Sequence, residues 1–389
     1  DCLLSRGLGD VYKRQTHYYG SKNYGGVLQS YALCQFLNNQ GFDAEQIQFD
    51  KDKGESIKRR LGKAYRYTLS IPRRIKYRRL YKEIRGREAK FAAFRDGAIC
   101  HSKEVFTQDS LNRLAKEYQL YITGSDQVWH PNAVCDAYLL DFGIEGIKKM
   151  SYAASIAKDT LSAEESGRYK KAFKDYAAIS VREKSAVELL RPITPVEIQW
   201  VVDPVFLLRR EEWKSLVGSK CDSERYALCY FLGNDSTERK IAKEYAKCKN
   251  LKLKVMPFLN GEISEDDLDY GDERIINASP SEFVQLIQNA EIVFTDSFHA
   301  TAFSLLFERQ FYVFDRSFQS SMGSRIESLT ELFSVQDHYC NIPNRTTFDY
   351  IYETASIDYS KEFTAFETMR KSSISYLLSN INKILEEVK

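Results

Sequence analysis

The sequence predicts an α/β protein built from two doubly wound domains that face each other across a cleft. Three observations predict it. The chain has 389 residues, 43% of them hydrophobic and 28% charged. That is too long for one ordinary core and close to two domains of roughly 150–200 residues. From residue 119 onward short apolar runs alternate with helical periods, the pattern of strand–helix units around a parallel sheet. The rhythm breaks in a charged stretch near 209–225 and then starts again. Two series therefore give an N-terminal domain over 16–215, a C-terminal domain over 216–360, and a helical tail over 361–389 that packs back across them.

Taken in order, DCLLSRGLGDVYKRQ (1–15) has no usable strand or helix period and lacks an initiator Met. It is expected to be a non-native leader and is kept out of the fold argument; peptide mapping of the native protein checks this. The strand that should precede the first helix would lie just ahead of Thr16. NYGGVLQSYALCQFLNNQGFDAEQIQFD (23–50) reads as loop, helix, turn and strand. Leu28, Ala32 and Phe36 step by four with Leu33 and Leu37 beside them, Gly41 suits a helix end, and AEQIQF alternates. In the first series QLYITG, KKMSYAASI, YAAISVRE and IQWVVDPVFLL read as strands. In the second, RYALCYFLG, LKLKVMPF, RIINA, EIVFT and QFYVFD are strands, with helices near 237–249, over 280–289 and after EIVFT.

Residues 58–90 stand apart as a basic helical insertion. Fourteen Lys or Arg meet two Glu there, a net +12 that leaves −10 for the rest of a chain whose total is +2. Interleaved Leu, Ile and Tyr make the zone amphipathic. A solvated helix pair and attraction to anionic headgroups or a phosphate-bearing substrate are both open readings. No nucleic-acid motif accompanies the charge, so no nucleic-acid partner is expected. The eight cysteines are scattered without CxxC, and no Cys/His cluster has metal-ligand spacing. Neither a zinc site nor a disulfide framework is indicated, which suits a reducing cytoplasm. No apolar run has the length of a membrane span and no secretory signal is visible.

In open α/β sheets ligands bind at the carboxyl ends of the strands. That rule selects four polar clusters. YITGSDQVWHP (121–131) puts Gly124, Ser125, Asp126 and Gln127 past a strand. SYAAS (151–155) offers Tyr152 and Ser155, and ISVRE (179–183) offers Arg182 and Glu183. EIVFTDSFHATAFSLLFE (291–308) sets Asp296, Ser297 and His299 where a strand turns into a helix. Each has a plain structural alternative: turn chemistry with a core Trp129, a surface ion pair, a packing histidine.

In order along the chain, NYGGVLQSYAL, YITGSDQVWHP, SYAASIA, ISVREKSAVELL, VVDPVFLL and TDSFHATAFSLLF resemble the polysaccharide pyruvyl transferase family over about residues 16–310. The resemblance implies a GT-B-like fold of two Rossmann-like domains. It implies transfer of a pyruvyl group from phosphoenolpyruvate to sugar hydroxyls of a cell-surface or capsular glycan, or of its lipid-linked precursor, forming a pyruvate ketal. Phosphoenolpyruvate and the glycan are then the partners, with no cofactor beyond that donor and no metal. The enzyme is expected to be cytoplasmic, and on the headgroup reading of the basic zone 58–90 it would touch the anionic inner face of the membrane peripherally.

Such a donor carries a phosphate and a carboxylate and needs cations. Arg182 is the first candidate, and the helix starting near Phe298 presents backbone amides to the same cleft. His299 is expected to contact phosphate or transfer a proton, with Asp296 and Asp126 as candidates for general base or acceptor contact. Asn23, Tyr24, Gly25, Ser125 and Gln127 fall on the acceptor side. Two departures stand out. Some members carry Arg-Leu-His where this chain has Ser297-Phe298-His299, so Ser297 replaces a donor cation that Arg325, in SMGSRIESL, would supply. SYAAS also runs into Ile156-Ala157 where Gly is common. Competing readings are a GT-B glycosyltransferase using a nucleotide sugar and a catalytically inactive glycan-binding or assembly protein.

Overall fold

The computed structural model describes residues 22–49, 65, 68, 71–72, 74–107, 110–111, 113, 118–132, 134–141, 146–218, 224–259, 267, 269–316 and 323–387. The expected leader (1–15), the strand ahead of Thr16 and most of 58–73 lie outside the described residues.

Helix Tyr24–Asn39 opens the fold. Asn23 caps it, its side-chain oxygen accepting the amides of Gly25 and Gly26 at 3.0 and 3.4 Å. Those are two of the donors that a helix start leaves without intrahelical partners. Gly41, at φ 85°, reverses the chain after the helix. Strand β1 (Gln46–Phe49) follows, then helix Arg78–Ala98, and β2 (His101–Phe106) pairs parallel with β1.

β3 (Tyr121–Thr123), β4 (Lys149–Ser151), β5 (Tyr176–Val181) and β6 (Ile198–Trp200) form a parallel sheet in that order. Parallel bridges Asp126–Ala154 and Ala154–Val181 carry the pairing just past the strand ends, so GSD and SYAAS lie side by side.

The second sheet holds β7 (Tyr226–Tyr230), β8 (Lys252–Val255), β9 (Glu273–Arg274), β10 (Ile292–Thr295), β11 (Gln310–Phe314) and β12 (Tyr339–Cys340). Its order is β12-β11-β10-β7-β8-β9 and every pairing is parallel. The chain grows one way from β7 to β9, then crosses back to lay β10 on the other side of β7. A crevice opens outside the carboxyl ends at such a switch point. RIINA, expected as a strand, contributes Arg274 to the short β9 and is otherwise loop. Helix Pro280–Asn289 has the expected start, with a Ser279–Glu282 capping box and Pro280 in its first turn.

Between the sheets the molecule is packed. One continuous core joins Ile122 and Met150 of the first sheet to Leu228 and Val293 of the second. Helix Tyr24–Asn39 supplies Leu28, Leu33 and Leu37 to it, and helix Thr364–Glu386 supplies Leu377 and Ile381. The tail helix is tied to the segment after β6, where Arg370 donates to the carbonyls of Phe206 and Leu207 and the Val202 amide donates to the Ser373 hydroxyl.

The basic insertion is only partly a solvated surface. Arg87 is 4% exposed. Its guanidinium lies over the rings of Tyr24 and Phe91, and Lys90 donates to Glu282. Among the described residues no helix is long and apolar enough to cross a membrane.

Candidate active site

The carboxyl end of β5 delivers Arg182, the loop after β6 delivers Asp203, and the start of helix Phe298–Leu306 delivers His299. These three, far apart in sequence, meet around one oxygen. Asp203 Oδ2 accepts from Arg182 Nη1 at 2.7 Å and from the Ser125 hydroxyl at 2.8 Å, and stands 3.6 Å from His299 Nε2. Burial opposes ionisation of this carboxyl, yet the adjacent His299 and Arg182 outweigh it and hold Asp203 well below the usual carboxylate range. The guanidinium carbon of Arg182 lies 4.1 Å from the centre of the Phe298 ring, and Asp126 Oδ1 is 3.7 Å from Arg182 Nη2. Burial alone would weaken the Arg182 charge, but Asp203, Asp126 and Glu183 keep its pKa above the ordinary value.

Arg325, from helix Gly323–Leu332, joins this cluster. Burial and then the like charge of Arg182 push its pKa down to about 10. Gln127 faces it; with the amide oxygen turned to the guanidinium, Nη2 and Nη1 reach that oxygen at 3.2 and 3.3 Å. Four buried nitrogens on three side chains here have no hydrogen-bond partner among the described residues: Arg182 Nε and Nη2, Arg325 Nε and His299 Nε2, with Arg182 Nη2 and His299 Nε2 facing Asp126 and Asp203 only at ion-pair distance. A buried polar group left unmatched costs about 1–3 kcal/mol, and more when charged. Several at once around crowded cations suit an anionic ligand that answers them together.

The sequence-selected residues divide by what they touch. Arg182, His299, Arg325, Asp126 and Gln127 are brought together. Ser297 caps helix Phe298–Leu306, its hydroxyl accepting the Ala300 amide at 3.5 Å. Asp296 accepts the amides of Leu232 and Gly233, both at 2.7 Å, and Arg316 Nε at 3.2 Å. It therefore ties the β7 and β10 ends together at the switch point. Ser125 is fully buried on Asp203, and Asn23, exposed at the surface, caps a helix.

Tyr24 is engaged within the protein as well. Its ring stacks on Phe283 at 4.5 Å, and its hydroxyl donates to the Ala278 carbonyl while accepting from Arg87 Nε. Gly25 matters for what it lacks: a Cβ there would lie 2.0 Å from His299 Nδ1. Helix Tyr24–Asn39 thus forms one wall of the histidine's seat.

Sequence reasoning passed over Asp203 and Arg316. The strand-end rule applied to IQWVVDP finds the first, since Asp203 follows β6 as Arg182 follows β5. Glu183 stands beside Arg182 at the carboxyl end of β5. Its Oε1 takes the Ser155 hydroxyl at 2.9 Å and the Ile156 and Ala157 amides at 2.8 and 2.9 Å, which sets the SYAASIA loop. That loop and its neighbour are bent tightly, with Asp126, Ala153 and Ala157 at φ 74°, 56° and 48°. Among the described residues no cluster of His, Cys, Asp and Glu could hold a metal ion.

Comparison with solved structures agrees with the architecture. The UDP-N-acetylglucosamine 2-epimerase of Rickettsia bellii superposes with a TM-score of 0.55 at 8% identity, over 97% of this chain and 98% of that one. The UDP-GlcNAc 2-epimerase of Neisseria meningitidis, solved bound to UDP-GlcNAc, gives 0.51 at 10% identity, over 95% and 100%. Identities this low speak for the fold alone, which is GT-B-like. No curated protein matches the sequence. The model of the polysaccharide pyruvyl transferase family matches residues 23–317, a span that contains Arg182, Asp203 and His299, and the chain belongs to that family.

Proposed function

We propose that this protein transfers the pyruvyl group of phosphoenolpyruvate to two hydroxyls of a glycan destined for the cell surface or capsule, or of its lipid-linked precursor, in the cytoplasm. The observation that supports the reading best is the buried Arg182–Arg325–His299 cluster with its unmatched donors. Phosphoenolpyruvate brings a phosphate and a carboxylate, the two anions such donors would answer.

In the reaction a proton adds to the donor methylene, turning it into a methyl group and leaving the adjacent carbon oxocarbenium-like. One sugar hydroxyl attacks that carbon, phosphate departs, and a second hydroxyl closes the ketal. The two hydroxyl protons balance the one taken up by carbon and the one carried off by phosphate. Arg182 and Arg325 hold the anionic donor. His299 is oriented by Asp203 on one side and Gly25 on the other, and carries a proton to or from the phosphate. Arg325 supplies the cation that Ser297 does not.

The test is phosphate release from phosphoenolpyruvate with candidate oligosaccharides, followed together with the new ketal methyl resonance. Arg182→Ala and His299→Ala are each expected to lower turnover by about tenfold or more, the scale of a lost charge contact or proton-transfer group. Unchanged rates in both variants would refute the site. Turnover with nucleotide sugars alone would make the protein a glycosyltransferase, and glycan binding without turnover would make it a binding or assembly protein.

A further inference from the structure

We propose that the outer end of helix Arg78–Ala98, with the turn before it, is a docking surface for an anionic phospholipid bilayer. Three of the six exposed large hydrophobic residues of the described chain fall within eleven positions: Tyr65, Ile71 and Ile75, with Ile75 69% exposed. Ile71 and Ile75 are one helical turn apart. Around them the exposed charges are overwhelmingly positive, with Lys76, Arg78, Arg79, Lys82 and Arg85 against Glu83.

These side chains shape a groove rather than a smooth face. Its volume is about 540 Å³, with Ile75, Lys76, Arg78 and Arg79 on one wall and Arg274 of β9 and Asp269 on the other. Four cations against Asp269 and Glu83 leave it net positive. Exposed apolar tips beside a cationic recess match a surface that is anionic outside and apolar just beneath. A soluble phosphate compound would answer the charges and leave the isoleucines in water, so the bilayer is the occupant that accounts for both.

The position links this surface to the site. Arg87, which packs on Tyr24 beside Gly25 and His299, is eight residues after Arg79 on the same helix. Eight residues of helix span about 12 Å. A bilayer seated on the groove would hold a membrane-anchored glycan within reach of the catalytic cluster. That last consequence rests on the proposed pyruvyl transfer; the docking itself does not.

The experiment is co-sedimentation of the full chain with vesicles of phosphatidylcholine alone and of phosphatidylcholine containing phosphatidylglycerol, at low and high salt. Binding is expected only to the anionic vesicles, weakening as salt screens the charges. Arg78→Gln with Arg79→Gln is expected to lower partitioning by about fivefold per residue neutralised. Ile75→Ser is expected to weaken binding while leaving its salt dependence in place, and both variants should melt like the parent. Equal binding to neutral vesicles, binding to neither, a parent-like double variant, or a preference for duplex RNA over anionic vesicles would overturn the proposal. Phosphate release with a soluble acceptor, measured on the same variants, reports separately on the transferase reading and is expected to be unchanged.

Discussion

Gly25→Ala puts the most direct strain on the reasoning, because it adds one methyl group and nothing else. In an open helix that change stabilises by up to about 1 kcal/mol, since Gly loses more backbone freedom on folding. Here the new Cβ would lie 2.0 Å from His299 Nδ1, 2.4 Å from Cγ and 2.7 Å from Cε1. Ordinary contact is about 3.5 Å, so the ring must retreat by roughly 1.5 Å. It is hemmed in by Phe298, 5.3 Å between ring centres, and by Asp203 at 3.6 Å. Overpacking of this kind costs about 1–3 kcal/mol, so against a gain of about 1 kcal/mol the expected net loss is about 0–2 kcal/mol, where an open helix site would gain. The catalytic consequence should be larger, because a misplacement near 1 Å costs about a hundredfold in rate. Urea unfolding at constant m-value reads the stability and phosphate release reads the rate. Gly97→Ala is the control: it lies in helix Arg78–Ala98 with nothing within 4 Å of its added Cβ. The control should gain stability and keep its rate. If Gly25→Ala behaves as the control does, the histidine has room and this account of its seat is wrong.

Two further perturbations read other parts of the structure. Glu238 is 3% exposed, and burial followed by the charges of Asp296 and Asp235 pushes its pKa up from 4.5 to about 9. The folded chain then keeps a proton that the unfolded chain releases, so this contribution is present below pH 4.5 and is lost as pH rises toward 9. Glu238→Gln should gain stability over the parent between about pH 6 and about pH 8, with a slope of at most about 1.4 kcal/mol per pH unit. Parallel pH curves for the two proteins would contradict the assignment. Ala157→Gly relieves a left-handed residue at φ 48° whose amide already serves Glu183. The strain is about 1–2 kcal/mol and the added unfolded-state freedom takes back roughly 0.4–1, so a melting rise worth about 0–1.6 kcal/mol is expected. A lower melting temperature would mean that the methyl group packs better than its backbone suggests.

Much of the architecture was legible because it is written in local periods. Alternating apolar residues become strands and four-step apolar residues become helices with little help from distant chain, as IQF, YAAIS and FVQLI did. The strand-end rule likewise placed Arg182 and His299, since it needs only the knowledge of where a strand stops. RIINA fails this test because one short edge pairing, not its own pattern, decides how much of it is strand.

What each group touches was not legible. Whether Tyr24 meets a sugar or a phenylalanine depends on Phe283 and Ala278, more than 250 residues away. The sequence by itself determined two parallel sheets and which polar residues stand at their carboxyl ends. Only the tertiary structure decided that Asp203 joins Arg182 to His299, that Asp296 is occupied by backbone amides, and that Arg87 leaves the solvent. The reason is physical: a period is set by neighbours three or four residues away, whereas a buried charge is placed by whichever partner the packed chain brings within hydrogen-bonding distance.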